Sequence, residues 1–106
     1  MRYSKAEIIS LIKSWIKSKD SNAELILFGS RARDQFHSES DWDLLILLDQ
    51  TKVGEETKKE FREGLYDIEL EIGEPISAFV FSKSVWQNKY KSTPLFQHIK
   101  REGIHL

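Results

Sequence analysis

Apolar residues recur at helical spacing in several segments of this chain, and the pattern predicts where its helices begin and end. The apolar residues before Lys19 are three and four positions apart, as in an amphipathic helix, and Ser4 and Glu7 form a capping box at its start. The same spacing predicts a long helix from about Glu55, which Gly73 ends. Both helices are therefore expected to bury one face against a core.

Three short, mainly apolar runs predict strands. The first two, Leu25–Phe28 and Asp43–Leu48, are expected to be buried. The third is Ile76–Phe81. After the third run, Ser82 is expected to cap a short helix. Thr93 and Pro94 open a last helix that Gly103 ends, and residues 104–106 are expected to form a tail. Strands separated by helices predict the α/β (α+β) class, with a small mixed sheet flanked by helices.

The length and composition of the chain limit the functions that it can have. Its 106 residues suffice for one core, so we expect a single domain over residues 1–106. Because 16 Lys and Arg residues oppose 17 Asp and Glu residues, the formal charge of −1 argues against a broad nucleic-acid-binding surface. The absence of cysteine excludes disulfides and cysteine-based metal sites. No signal peptide or bilayer-spanning apolar run is evident, so we expect a cytoplasmic protein without membrane contact.

A Gly-Ser pair at the end of the first predicted strand is a candidate phosphate-binding turn. Gly29 has no Cβ, so the backbone can approach a ligand closely, and the Ser30 hydroxyl can bond to a phosphate oxygen. A short helix predicted from Ser30 to about Gln35 would add free N–H groups and the positive end of its dipole. Arg31 and Arg33 supply positive charge beside the turn. The simpler alternative is a glycine turn with a Ser N-cap and two solvated arginines.

Asp41 and Asp43 lie two residues apart at the start of the second predicted strand and are candidate metal ligands. Because side chains alternate along a strand, both carboxylates are expected on one side, where they can converge on one Mg²⁺ ion. A cation between them would also offset the repulsion of two like charges. The alternative is a turn residue followed by a lone charge at a strand end. Trp42 is expected to point to the opposite face as a core residue.

The run Gly29–Arg33 (GSRAR), followed by Ser40–Leu44 (SDWDL), resembles the signature of the minimal nucleotidyltransferases of the polymerase-β-like superfamily, which include antitoxin-like chains. The resemblance extends to the order of predicted elements over almost the whole chain. It implies a nucleotidyltransferase fold that transfers a nucleoside monophosphate from a nucleoside triphosphate, with ATP expected, to a hydroxyl acceptor. It implies that the nucleotide is bound by Gly29, Ser30, Arg31, Arg33 and Ser40. It also implies that the catalytic residues Asp41 and Asp43 coordinate one or two Mg²⁺ ions.

Two positions depart from the pattern of that family. A third carboxylate usually opens the next strand, where this chain has Ser77, and a hydroxyl is a poor substitute for a charged metal ligand. Glu74 is the acid nearest to that strand start and the best candidate to replace it. Asp49 is expected about 20 Å from Asp43, at ~3.3 Å per residue. Asp34 stands where the family usually has glycine, which adds negative charge beside the phosphate-binding turn.

Three functions are compatible with these residues. The first is an active Mg²⁺-dependent nucleotidyltransferase that modifies a partner protein or another acceptor. The second is a catalytically weak or inactive partner-binding subunit, similar to the antitoxins of two-component systems whose partner is a helical HEPN-type ribonuclease; a homodimer is the alternative assembly. The third is a sensor that binds a nucleoside triphosphate without turnover. The short chain and the missing third carboxylate motivate the second function.

Overall fold

Helices and strands are interspersed in the computed structural model of the chain, which describes residues 3–33 and 41–106. In chain order the elements are α1 (Lys5–Lys19), β1 (Glu24–Phe28), β2 (Trp42–Leu48), α2 (Glu55–Ile72), β3 (Ile76–Ser82), α3 (Lys83–Lys89), α4 (Pro94–Glu102) and β4 (Ile104–His105). The predicted helices α1 to α4 and the three predicted strands are all present at these positions. The α+β class predicted from the sequence is therefore confirmed.

The described strands form one mixed sheet in the order β3-β2-β1-β4. β1 is antiparallel to both of its neighbours, whereas β2 and β3 run parallel. The parallel pair is joined through α2, because parallel strands require a long crossover connection. β2 lies between β1 and β3, so residues at its start are next to both the end of β1 and the start of β3. This is the place where the candidate site lies.

Helices cover both faces of the sheet, which explains why β1 and β2 are apolar at nearly every position. On one face, the buried side chains of α1 and α2, Phe61 among them, pack with Leu44 of β2. On the other face, Trp86 of α3 and Phe96 of α4 pack with Leu45. Successive residues of β2 therefore belong to different halves of the core. β3 lies at the edge of the sheet, and most of its residues are only partly buried.

The signals that predicted the helix ends are observed as hydrogen bonds and backbone conformations. In the capping box of α1, the Glu7 N–H donates to Ser4 Oγ at 3.1 Å and the Ser4 N–H donates to Glu7 Oε1 at 2.7 Å. α2 ends at Gly73, whose φ of 72° is in the left-handed region that favours glycine. Thr93 caps α4 through the N–H of Phe96. Among the described helices, none is long and apolar enough to cross a membrane.

The last residues pair with β1 instead of forming the expected tail. In β4, Ile104 lies opposite Leu27 in an antiparallel pair. The N–H of Leu106 donates to the carbonyl of Leu25 at 2.9 Å. This short strand covers the edge of β1, whose backbone groups would otherwise be open to another chain. Two residues are too few to show an alternating pattern, so the sequence contained no periodic signal for this strand.

Candidate functional site

The chain leaves β1 through a glycine turn rather than through the expected short helix. Gly29 has a φ of 76°, in the left-handed region. The Ala32 N–H donates to the carbonyl of Gly29 at 3.1 Å, and the Arg33 N–H donates to that of Ser30 at 3.2 Å. These bonds close two successive turns, so the described part of the predicted helix is a turn. Outside the described residues lie the rest of that predicted helix and two motif residues, Asp34 and Ser40.

Asp43 lies directly against Gly29, which brings the two halves of the motif together. In the antiparallel pairing of β1 and β2, Asp43 is opposite Phe28, the residue before Gly29. A Cβ added to Gly29 would collide with Oδ2 of Asp43 and would lie 3.1 Å from its Cγ. Glycine therefore leaves the room that this carboxylate occupies beside the turn. Asp41 immediately precedes β2 and is two residues before Asp43. In an extended chain this spacing predicts that both side chains lie on the same side of the sheet.

The electrostatic environment of Asp43 includes both a like charge and an opposite charge. Burial raises the pKa of the Asp43 carboxyl above its ordinary value, and the negative charge of Asp41 raises this pKa further. The positive charge of Arg33 acts in the opposite direction and lowers it. Two carboxylates thus repel each other in a partly buried place. A bound cation would relieve both the cost of burial and the repulsion.

Ser77 occupies the place at which the family resemblance implies a third carboxylate. It lies opposite Asp43 in the parallel pairing of β2 and β3. Within residues 3–33 and 41–106, no three His, Cys, Asp or Glu side chains are grouped closely enough to hold a metal ion. A Mg²⁺ ion that is bound with substrate phosphates takes only one or two carboxylates from the protein. Asp41 and Asp43 therefore fit one Mg²⁺ ion bound together with a nucleotide, whereas a second ion would lack a third carboxylate.

Glu74, the best candidate to replace that carboxylate, contacts a different part of the structure. Its Oε1 accepts a hydrogen bond from Nε1 of Trp42 at 2.9 Å and lies 2.8 Å from a terminal nitrogen of Arg31. Trp42 is 1% exposed and packs in the core with α1 and α2, as predicted. Since neighbouring residues of a strand point to opposite faces, Glu74 is on the side away from Asp43. Asp49 follows the last residue of β2, at the end opposite to Asp43.

The two arginines of the motif have different surroundings. Arg31 is only 5% exposed, and its guanidinium lies over the ring of Trp42, 4.4 Å from the ring centroid. Arg33 is exposed, and one of its terminal nitrogens lies 3.4 Å from Oε2 of Glu102 in α4. The same oxygen lies 2.9 Å from Nδ1 of His98. Arg33 is thus accessible to a phosphate that approaches from solvent, whereas Arg31 is enclosed by its neighbours.

The contacts of Glu102 with Arg33 and with His98 were not predicted from the sequence. Glu102 is 69 residues from Arg33 along the chain, and only the packing of α4 on the sheet brings the two together. The only signal in the sequence was the spacing of four between His98 and Glu102. That spacing is common on solvated helix faces and indicates no particular function.

A groove of about 430 Å³ runs along the edge strand β3, and neither Asp41 nor Asp43 lines it. Its floor includes Phe79, which is 41% exposed, and one wall is the face of α2 that includes Tyr66, which is 57% exposed. Lys58 and Arg62 lie along the same wall. One acid, Glu69, also lines the groove, and its carboxylate accepts the N–H of Ile76. A mostly apolar groove with two basic residues is unlike a triphosphate site and more typical of a protein-binding surface.

The fold is that of the nucleotidyltransferase domain family. The family model of the nucleotidyltransferase domain matches residues 9–100, which is most of the chain, so the chain belongs to that family. The resemblance that the motif indicated is thereby confirmed.

The chain is also similar in fold to a chain of a crystal structure of a toxin-antitoxin with AMP-PNP. The TM-score is 0.62 at 16% sequence identity, and the match covers 90% of this chain and 69% of that chain. At this identity the likeness concerns the fold, and it agrees with the mixed sheet and flanking helices described above. No curated protein gives a significant match to this chain.

Proposed function

We propose that this chain transfers a nucleoside monophosphate from a Mg²⁺-bound nucleoside triphosphate, ATP in the first instance, to a hydroxyl group on a partner protein in the cytoplasm. The reaction forms a bond between the acceptor oxygen and the α-phosphorus. It breaks the bond from the α-phosphorus to the oxygen that bridges to the β-phosphorus, so that pyrophosphate leaves and the hydroxyl proton passes to solvent. The nucleotidyltransferase domain over residues 9–100 supports this class of reaction.

The observation that supports the proposal most strongly is the contact between Asp43 and Gly29. The carboxylate fills the space that a Cβ at Gly29 would take, so a phosphate held by the turn would lie beside it. A nucleotide-binding turn and a metal-binding acid need this proximity, because the cation has to touch both the carboxylates and the phosphates. The AMP-PNP in the toxin-antitoxin structure of similar fold supports the same nucleotide class.

Each residue of the site has a defined part in the proposal. The Gly29-Ser30 turn binds the triphosphate through its backbone and the Ser30 hydroxyl, with Ser40 as a second hydroxyl, and Arg33 faces the phosphate charge. Asp41 and Asp43 hold the Mg²⁺ ion. When bound, that ion supplies positive charge at the triphosphate and orients the reacting oxygens. Because Ser77 replaces a third carboxylate, we assign one ion to the site and expect slow transfer.

The test is a transfer assay with ATP labelled at the α-phosphate. The purified chain, MgCl₂ and the protein encoded next to it in the genome are combined, and label on protein and released pyrophosphate are both measured. The proposal predicts that label and pyrophosphate appear together and that both need Mg²⁺. Calorimetry with Mg-ATP accompanies the assay. Binding without transfer would favour a nucleotide sensor, and no binding at millimolar nucleotide would contradict the proposal.

Replacing Ser77 with Asp is expected to raise the transfer rate at least about tenfold, equivalent to about 1.4 kcal/mol of transition-state stabilisation. The new carboxylate would lie beside Asp43 on the neighbouring strand and could complete the metal site. Without Mg²⁺ the variant is expected to be less stable than wild type, because a third negative charge joins two that already repel. Ser77→Asn, of similar size without charge, is the control. Equal rates for the two variants would show that the missing carboxylate does not limit transfer.

A second candidate function is binding of a helical partner protein, as in an antitoxin-like subunit, and the groove along β3 favours it. The apolar floor at Phe79 suits the apolar face of an amphipathic helix. Lys58 and Arg62 on the wall suit acidic residues on the border of that helix. The proposed occupant is therefore an amphipathic helix with an acidic border, from a partner of the helical HEPN type.

Substitution in the groove is expected to abolish such a complex. Phe79→Glu places a charge on the floor, and Arg62→Glu reverses the charge of the wall, so either variant should weaken binding to a co-expressed helical partner at least about tenfold. Lys13→Glu, on an exposed position of α1, is the control and should bind like wild type. The complex is followed by light scattering after size-exclusion chromatography. A complex that survives both groove substitutions would exclude this surface.

A further inference from the structure

Three residues from separate segments of the chain, Arg31, Trp42 and Glu74, form one cluster, which we call the Arg31 cluster; Arg31 and Trp42 are buried and Glu74 is partly exposed. The guanidinium of Arg31 lies 4.4 Å from the centroid of the Trp42 ring. Oε1 of Glu74 lies 2.8 Å from Arg31 and accepts the indole N–H of Trp42 at 2.9 Å. A single carboxylate oxygen therefore contacts both the arginine and the tryptophan.

Each member of the Arg31 cluster is next to a segment that supplies the candidate site. Arg31 directly follows Ser30 in the phosphate-binding turn, and Trp42 lies between the two candidate metal ligands. Glu74 belongs to the turn between α2 and β3, three residues before Ser77. The backbone reinforces this connection, because the N–H of Trp42 donates to the carbonyl of Pro75 at 2.9 Å. The cluster thus connects the turn, the start of β2 and the start of β3.

The chemistry of the cluster makes it a fixed unit. Arg31 and Trp42 are 5% and 1% exposed, so water has little access to the groups that Glu74 contacts, although the Glu74 side chain is itself 28% exposed. A buried guanidinium requires a paired carboxylate, and an aromatic face adds a favourable cation–π contact. A charge-assisted hydrogen bond is also stronger than a neutral one. Loss of the Glu74 charge would therefore loosen Arg31 and, with it, the turn that Arg31 adjoins.

We propose that Arg31 is a positioning residue. Through Trp42 and Glu74 it holds the Gly29-Ser30 turn in register with Asp41 and Asp43, and it does not bind phosphate itself. The effect of Arg31 on nucleotide binding rests on the proposed function, whereas the effect of Arg31 on the rigidity of the turn does not. A merely structural ion pair would change global stability and leave the turn as ordered as the rest of the sheet.

The test compares Glu74→Gln with wild type by backbone ¹⁵N relaxation. Gln keeps an oxygen that accepts the Trp42 N–H and removes the charge that pairs with Arg31. The order parameters of residues 29–33 are expected to fall from about 0.85 to below about 0.6, while those of β1 stay near 0.85. Glu63→Gln, which removes a charge from an exposed pair with Lys59 on α2, is the matched control and should change neither region. Unchanged order parameters of the turn in Glu74→Gln would overturn the proposal.

A second variant and a binding measurement complete the test. If Glu74→Gln does not fold, Trp42→Phe keeps an aromatic ring near Arg31 and removes the indole donor together with part of the buried ring volume, and the same loosening of residues 29–33 is expected. If wild type binds Mg-AMP-PNP, Glu74→Gln should raise the Kd for this nucleotide at least about tenfold. Glu63→Gln should leave that Kd unchanged. A loosened turn with an unchanged Kd would overturn the positioning role. If wild type binds no nucleotide, the proposed function fails, while the relaxation data still decide whether the cluster orders the turn.

Discussion

Replacing Asp43 with Asn is expected to reduce nucleotidyl transfer by at least about 10³-fold. The substitution preserves the size of the side chain that lies against Gly29 and removes the charge that would bind Mg²⁺. Charge stabilisation by a catalytic metal ion contributes several kcal/mol to a transition state. A loss of about 4 kcal/mol corresponds to about 10³ in rate. The measurement is the rate of label transfer from ATP at saturating Mg²⁺.

The same substitution is expected to stabilise the fold at neutral pH. Burial and the charge of Asp41 raise the pKa of Asp43 in the folded state, so the folded protein binds this proton more tightly than the unfolded chain does. The stability that this group contributes is therefore full below its unfolded pKa and is lost as the pH rises through its folded pKa. Asn does not titrate. In urea unfolding, Asp43→Asn should be the more stable protein at pH 7, and the advantage should vanish near pH 3.

Magnesium is expected to make wild type more stable than Asp43→Asn at pH 7. At about ten times its Kd, an ion bound only to the folded state adds about 1.4 kcal/mol. For a chain of this size, that should raise the Tm of wild type by about 5–10 °C. Asp43→Asn should show little change, because one of the two proposed ligands is gone. Asp49→Asn, at the far end of β2, is the control and should respond to Mg²⁺ and transfer label like wild type. Retention of wild-type transfer by Asp43→Asn would disprove the assignment of this acid.

Replacing Gly29 with Ala is expected to reduce transfer by about 10²-fold or more. Its φ of 76° disfavours any residue with a Cβ, at a cost of about 1–3 kcal/mol in folding stability. In addition, the new Cβ would collide with Oδ2 of Asp43, so the carboxylate or the turn must move. A displacement of about 1 Å in a catalytic arrangement can reduce the rate about 10²-fold.

Gly73 provides a matched control for this prediction. Its φ of 72° gives Gly73→Ala a similar conformational cost, but no atom lies within 4 Å of the added Cβ. Both variants should therefore lose the conformational part of the stability in urea unfolding, and Gly29→Ala should lose more because of its collision with Asp43. Only Gly29→Ala should also lose transfer and nucleotide binding. Equal rates for the two variants would show that the space beside Asp43 is not needed for function.

The sequence predicted the helices, the strands and the core position of Trp42, because these features depend on residues that are close together in the chain. The capping box at Ser4 and the left-handed stop at Gly73 involve contacts within one or two helical turns. Continuous apolar runs indicated that β1 and β2 are covered on both faces, as observed. The strand period placed Trp42 in the core, as observed. The family resemblance, rather than periodicity, singled out Ser77, which lies opposite Asp43. The proposed roles of Asp41 and Asp43 in metal binding stay predictions.

The tertiary structure decided what depends on residues far apart in the chain. Pairing of β4 with β1, the contact of Glu102 with Arg33, and the burial of Arg31 between Trp42 and Glu74 had no periodic signal in the sequence. The predicted helix after Ser30 is a turn in its described part, where the chain has to bend next to β2.

By itself, then, the sequence determined the helices, the strands and the spacing of the motif, because propensity, capping and periodicity act over a few residues. Only the folded sheet determined which charges meet. Residues 31, 42 and 74 come together because β2 lies between the end of β1 and the start of β3, and that adjacency depends on the order of the strands. The nucleotidyltransferase motif is therefore a local property of the chain, whereas the arrangement of its turn and its carboxylates is a property of the sheet.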